Sequence, residues 1–177
     1  MIFVQTDLPG VVLITPEPIP DERGTFTQTW GREEFEANGL HTDMVARNRC
    51  FNRRSRTLRG LHFQRAPHAE ARLASATAGA IYDVALDLRP HSPTFGKWVG
   101  NELRAETGTL IYVPEGLAHG FITLEPDTSV DYLLSASYAP DATGGVRWDD
   151  PQFGIRWPFP PAVLSERDRT LPDYRPA

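Results

Sequence analysis

His62 sits in the stretch LRGLHFQ, residues 58–64, between a tight Arg-Gly step and an aromatic-amide pair. Apolar Leu58, Leu61 and Phe63 alternate around it, the pattern of a half-buried strand that turns His62 toward an interior. An imidazole held there can bond structurally, ligate a metal or move a proton, because its ordinary pKa of about 6.5 lies close to neutrality. A second stretch of the same design, a glycine turn leading to an inward histidine, is GTLIYVPEGLAHGF, which contains His119. Basic side chains are concentrated in ARNRCFNRRSR, residues 46–56, which carries five arginines and reads as a solvated basic loop apart from Arg47.

The elements that must position these residues are mostly strands. The runs GVVLITPEPI, GTFTQTW, TLRGLHFQ, EARLASATAGAIYDVALDLR, WVGNELRAE, GTLIYVPEGLAHGFITLE and SVDYLLSASY are rich in β-branched and aromatic residues. They are separated by Gly, Pro or Asp signals at the spacing of a β-sandwich or barrel. One helix is predicted at GREEFEANG, with acidic residues opening it and Gly39 closing it. The tail WPFPPAVLSERDRTLPDYRPA reads as irregular, and no repeat or composition break divides residues 1–177 into more than one domain. The expected class is all-β with few short helices.

Composition narrows the function. A chain of 177 residues that is 40% hydrophobic and 23% charged reads as a soluble globular protein, and a net charge of −5 argues against general attraction to nucleic acid or anionic membrane. Cys50 is the sole cysteine, which rules out an intrachain disulfide and fits a reducing compartment. Asp7 interrupts a short apolar opening that lacks the basic region and long apolar core of an export signal. The expected location is the cytoplasm.

The pair RGLHFQRAPHAEAR and GTLIYVPEGLAHGF resembles the two half-motifs of the cupin superfamily, a jelly roll with its active site inside the barrel. Metal-binding cupins have a second histidine where Gln64 stands. An amide is a poor first-row metal ligand, so His62, Glu70 and His119 form an incomplete set. The segments DERGTF, TLRGLHFQ, GAIYDVALDLRPHSPTFGKW, YVPEGLAHGF, VRWDDPQFGIRWP and LSERD, in this order and spacing, resemble the dTDP-4-dehydrorhamnose 3,5-epimerase family over nearly the whole chain. That resemblance implies a homodimeric jelly roll without metal or cofactor. Its activity would be epimerisation at C3, C5 or both of a nucleoside-diphospho-4-keto-6-deoxy sugar.

The resemblance also implies roles. His62 matches the family base, Asp168 the carboxylate that orients it, and Tyr132 the proton donor of the opposite face, a role suited to a phenol of pKa about 10. Arg72 stands in EARLA where the family usually has a lysine beside the developing enolate. Arg23 and Arg59 match phosphate and sugar contacts, Tyr138 the aromatic stacked on the nucleobase, and His119 and Arg47 further substrate contacts. Phe26 and Gln28 share a strand face that would reach a neighbouring subunit's nucleotide, Gln28 replacing the usual glutamate. Ser129 and Thr143-Gly144 depart from the family pattern as well, which suggests a specialised relative. A metal-dependent cupin dioxygenase and a non-catalytic sugar-nucleotide binding module are the alternatives.

Overall fold

The computed structural model describes residues 1–175. In chain order its strands are β1 (Ile2–Gln5), β2 (Val12–Thr15), β3 (Ile19–Asp21), β4 (Gly24–Phe26), β5 (Ala46–Asn52), β6 (Leu58–Gln64), β7 (Arg72–Ala78), β8 (Ala80–Asp87), β9 (Trp98–Arg104), β10 (Leu110–Val113), β11 (Leu117–Thr123), β12 (Thr128–Leu134) and β13 (Thr143–Gly145). Two short α-helices accompany them, α1 (Arg32–Ala37) and α2 (Glu166–Arg169). The strands form an antiparallel sandwich of a six-stranded sheet, β1-β2-β10-β7-β12-β5, and a five-stranded sheet, β13-β6-β11-β8-β9. The protein is all-β with a cupin-type jelly roll, and no helix among the described residues is long and apolar enough to cross a membrane.

Two of the long runs read from the sequence each supply strands to both sheets. Residues 70–89 break at Gly79, whose φ of +69° turns β7 of the larger sheet into β8 of the smaller one; a Cβ there would lie 2.4 Å from Thr128 Oγ1. Residues 108–125 break at Pro114-Glu115-Gly116, again passing from the larger sheet (β10) to the smaller (β11). These crossings place Arg72 on one wall of the sandwich and His119 on the other.

Alternation then sorts the side chains. Ile81 and Ala85 of β8 enter the core between the sheets with Ile111, Val113, Phe121 and Val130, whereas Val84 and Leu86 face outward under the C-terminal segment with Phe153 and Trp157. This cover explains why β8 is buried on both faces although its sheet is antiparallel. On the outer face of the larger sheet, Phe35 of α1 is fully buried and meets Phe3 edge-on at 5.5 Å.

Three sequence expectations change. ARNRCFNRRSR is not a loop: Ala46–Asn52 is the edge strand β5, paired along its length with β12. Its arginines alternate outward, so their charge stays in solvent while Asn48 and Cys50 turn to the interior. The strand read through GTFTQTW stops at Phe26, and the tail, otherwise irregular, contains the single turn of α2.

Candidate active site

The site grows from the pairing of β6 with β11, in which His62 lies directly opposite His119. The two strands approach unusually closely because glycines face each other. A Cβ on Gly60 would sit 2.6 Å from Gly120 Cα, and the register slips between His119 and Phe121. Both histidines therefore project from the five-stranded sheet into one cavity of about 640 Å³.

Their partners differ. His62 Nε2 meets Asp168 Oδ1 at 2.6 Å, and Asp168 Oδ2 accepts the Gly60 N–H at 3.3 Å. Asp168 reaches this point because Val163 pairs with Thr57, Leu58 N–H donates to Val163 O, and Ser165 then starts α2 by accepting the Asp168 N–H. The pattern LSERD thus has the form of an N-cap with an acid three residues on, the signal from which this turn is legible. Burial alone would raise the Asp168 carboxyl, but bonding to His62, Gly60 and Ser165 outweighs it and holds the group below its ordinary value. With the carboxylate ionised, neutral His62 keeps its proton on Nε2 and its lone pair on Nδ1.

His119 Nε2 contacts both oxygens of Asp83, at 2.9 and 2.8 Å, and the pair is sealed: His119 is 2% exposed and Asp83 0%. Glu70 accepts from Arg72 Nε at 3.1 Å and from Gln64 Nε2 at 3.3 Å. The three candidate metal ligands His62, His119 and Glu70 thus each engage a different partner. Among the described residues, no group of three or more His, Cys, Asp or Glu side chains is arranged to hold a metal ion.

The facing wall belongs to the six-stranded sheet. Tyr132 on β12 stands edge-on to His119 at 6.3 Å between ring centres, and its hydroxyl lies 3.6 Å from Cys50 Sγ. Burial is the main reason that the Tyr132 hydroxyl is pushed well above its ordinary value, so it stays protonated at any physiological pH. Arg72, at the start of β7, lines the same wall and donates from two guanidinium nitrogens to the single oxygen Glu70 Oε1. Arg59 enters the cavity lining with its Nε on the neutral Asn52 Oδ1 at 2.8 Å, which leaves the rest of its guanidinium fork for an anion.

The cavity brings together His62, Asp168, Tyr132, Arg72, Arg59, His119 and Tyr138 of the residues singled out from the sequence. Tyr138 reaches it from an unexpected place. β12 ends at Leu134, so Tyr138 shares no strand with Tyr132 but sits in the following loop, 65% exposed at the rim. Arg47 is not brought in: it belongs to the opposite face of β5 from Asn48 and Cys50, and shares Asp131 with Arg49. Arg23, Phe26 and Gln28 also lie outside this cavity. Arg23 is paired with Asp21, Phe26 is 66% exposed on the β3-β4 hairpin, and Gln28, past the end of β4, folds toward Gly31. The expectation that Phe26 and Gln28 share a strand face fails because that strand has ended. Asn52 and Asp83 support the cavity-lining Arg59 and His119 and no motif announced them; only their inward parity on strands was readable.

Known proteins resemble the chain in both sequence and fold. The sequence profile described as dTDP-4-dehydrorhamnose 3,5-epimerase matches residues 5–175. The chain is 42% identical over 173 residues to the dTDP-4-dehydrorhamnose 3,5-epimerase of Sinorhizobium fredii, covering 97% of this chain and 89% of that protein. The crystal structure of dTDP-4-dehydrorhamnose 3,5-epimerase from Elizabethkingia anophelis matches with a TM-score of 0.94 and 38% identity, over 98% of this chain and 96% of that one. ChmJ of Streptomyces bikiniensis, a 3'-monoepimerase solved with dTDP-quinovose, matches with a TM-score of 0.87 and 32% identity, over 94% and 85% of the two chains.

Proposed function

The chain belongs to the dTDP-4-dehydrorhamnose 3,5-epimerase family and is an isomerase; from that premise we propose that it epimerises C3, C5 or both of a nucleoside-diphospho-4-keto-6-deoxy sugar, with dTDP-4-dehydro-6-deoxy-D-glucose as the substrate. The observation that carries this reading is the placement of the His62–Asp168 pair and the Tyr132 hydroxyl on opposite sheets across one cavity. Epimerisation requires that a carbon next to a ketone lose a proton on one face and gain one on the other, so two separate groups must flank it.

His62 Nδ1 takes the proton, and ionised Asp168 stabilises the imidazolium that results. Negative charge moves to the former ketone oxygen, where the Arg72 guanidinium is suited to hold it; pairing with Glu70 orients that fork while partly offsetting its charge. Tyr132, kept protonated by burial, delivers a proton to the opposite face. Exchange with water afterwards removes the proton from His62 and returns one to Tyr132. Arg59 faces the diphosphate and Tyr138 the base at the rim.

The remaining expected contacts we assign to a second copy of the chain. The β3-β4 hairpin pairs with no other strand among the described residues, and its Ile19 and Phe26 are 64% and 66% exposed. Such an arm is suited to carry Arg23, Phe26 and Gln28 into a partner's cavity, giving a homodimer, and sedimentation showing a fully active monomer would overturn this. One unpaired cysteine, Cys50, fits work in a reducing cytoplasm. The profile's span over residues 5–175 supports reading the chain as one domain.

The dioxygenase alternative is disfavoured by the separate engagements of His62, His119 and Glu70. A binding module would not need a buried acid behind the base. The test is NMR of dTDP-4-dehydro-6-deoxy-D-glucose in deuterium oxide: enzyme-dependent deuterium at C3 or C5 is the expected result, and its absence at both carbons overturns the reading.

A further inference from the structure

Gln64 lies two residues beyond His62 on β6, so its side chain enters the same cavity, yet it is only 4% exposed. Its amide makes an unusual set of bonds. Oε1 accepts the Ala139 N–H at 2.6 Å, while Nε2 lies 3.0 Å from His68 O, 3.2 Å from Ser137 O and 3.3 Å from Glu70 Oε2. Only one orientation satisfies this set, because the flipped amide would aim its oxygen at three acceptors. Ser137 and Ala139 flank Tyr138, so one side chain grips the backbone on both sides of an aromatic residue that is itself 65% exposed. At the other end Glu70 accepts from Gln64 on Oε2 and from two Arg72 nitrogens on Oε1.

We propose that Gln64 is a positioning residue that fixes the Tyr138 loop at the rim of the cavity and, through Glu70, the Arg72 guanidinium at its floor. This inference rests on the epimerase reading above for what Tyr138 and Arg72 do. Two amide hydrogens serve three acceptors, so a shift of the Tyr138 loop redistributes the bonds that reach Glu70. Binding at the rim is thereby linked to the orientation of the group that faces the enolate oxygen. Where a metal-binding cupin places its second histidine, this chain has a bridge between the base end and the sugar end of its substrate.

The test is a double-mutant cycle on dTDP binding, measured calorimetrically with wild type, Gln64→Leu, Tyr138→Ala and the double variant of the full chain. Gln64→Leu should weaken dTDP about tenfold, as expected for loss of well-formed hydrogen bonds to a loop. In the Tyr138→Ala background the same change should cost less than about twofold, because the residue through which Gln64 acts is gone. In turnover, KM should rise by a larger factor than kcat falls. Equal losses in both backgrounds overturn the proposal, since a general structural role does not depend on the Tyr138 side chain. If Gln64→Leu fails to fold, Gln64→Glu replaces it in the cycle; this variant keeps an acceptor for Ala139 N–H but sets a second carboxylate beside Glu70, and the same non-additivity decides. Absence of dTDP binding by the wild type overturns the epimerase reading and this inference with it, whereas wild-type binding with additive losses overturns this inference alone.

Discussion

Two histidine–aspartate pairs face each other across the β6-β11 ladder, and they differ in nearly everything but composition. Asp83 comes from β8, the next strand in the same sheet, and closes on His119 in a pocket with almost no exposure. Asp168 comes from the far C-terminal segment and meets His62 through a single oxygen, Oδ1, and the His62 side chain remains 28% exposed to the cavity. In the buried pair both Asp83 oxygens bond one imidazole nitrogen and Tyr132 stands edge-on against His119, as expected of polar groups that stiffen a core. The open pair leaves a lone pair unengaged beside a space large enough for a sugar. Access, and the direction from which the carboxylate arrives, is what separates the proposed base from the more deeply buried pair.

The sharpest way to break this contrast is to remove His62. His62→Ala should abolish both deuterium exchange and epimerisation, with a loss of about a hundred- to ten-thousand-fold, because His119, the other histidine lining the cavity, is only 2% exposed and is not placed to take over. Near-wild-type turnover in this variant would show that the two pairs are not functionally distinct. Tyr132→Phe should be damaged in a different manner. Inverted product should fall further than exchange, since His62 can still remove a proton and return it to the same face; equal losses would remove Tyr132 from the second face without touching His62.

Asp168→Asn should fall between wild type and the His62 variant, because the imidazole remains while its orientation and the stability of its charged form are weakened. The wild-type pair also has a pH signature. Asp168 is held below its ordinary value of about 3.9, so its contribution to folding is complete above that value and is lost as pH falls through the lower folded one. Acid unfolding followed by circular dichroism should therefore begin at higher pH in Asp168→Asn. The smallest effect on chemistry belongs to the sealed pair. Asp83→Ala should cost about 1–3 kcal/mol of stability by leaving a buried imidazole without its acceptor, with a far smaller loss of exchange than His62→Ala. A catalytic defect as large as that of His62→Ala, at unchanged melting temperature, would reverse the assignment.

How much of this was legible depends on the range of the signal. Strand periodicity is a local property, so the inward turn of His62 and His119 could be read from their neighbours, and the six motifs in series named the family. Parity misled where a strand ended early: Tyr138 has the parity of Tyr132 but lies in a loop, and Gln28 has that of Phe26 but lies past β4. In residues 46–56 the high charge masked a strand, because on an edge strand the arginines point outward and only Asn48, Cys50 and Asn52 carry the inward polar pattern.

The sequence by itself determined the all-β class, the chemistry available at His62, Tyr132 and Asp168, and the incomplete metal set. The likeness to the family named Asp168 as the carboxylate behind His62, whereas the pairing of Asp83 with His119 and the route by which each aspartate arrives were decided by tertiary structure. Nothing local distinguishes Asp83 from Asp168 as partners, since the first lies on a strand neighbouring β11 while the second is brought to β6 by the Thr57–Val163 pairing and the Ser165 cap. Tertiary structure also decided that Gly79 splits one apolar run between two sheets, setting Arg72 on the sheet opposite His62. Side-chain chemistry is carried by residue type, whereas the opposition of two groups across a cavity depends on how distant strands pair, and pairing is a property of the whole chain.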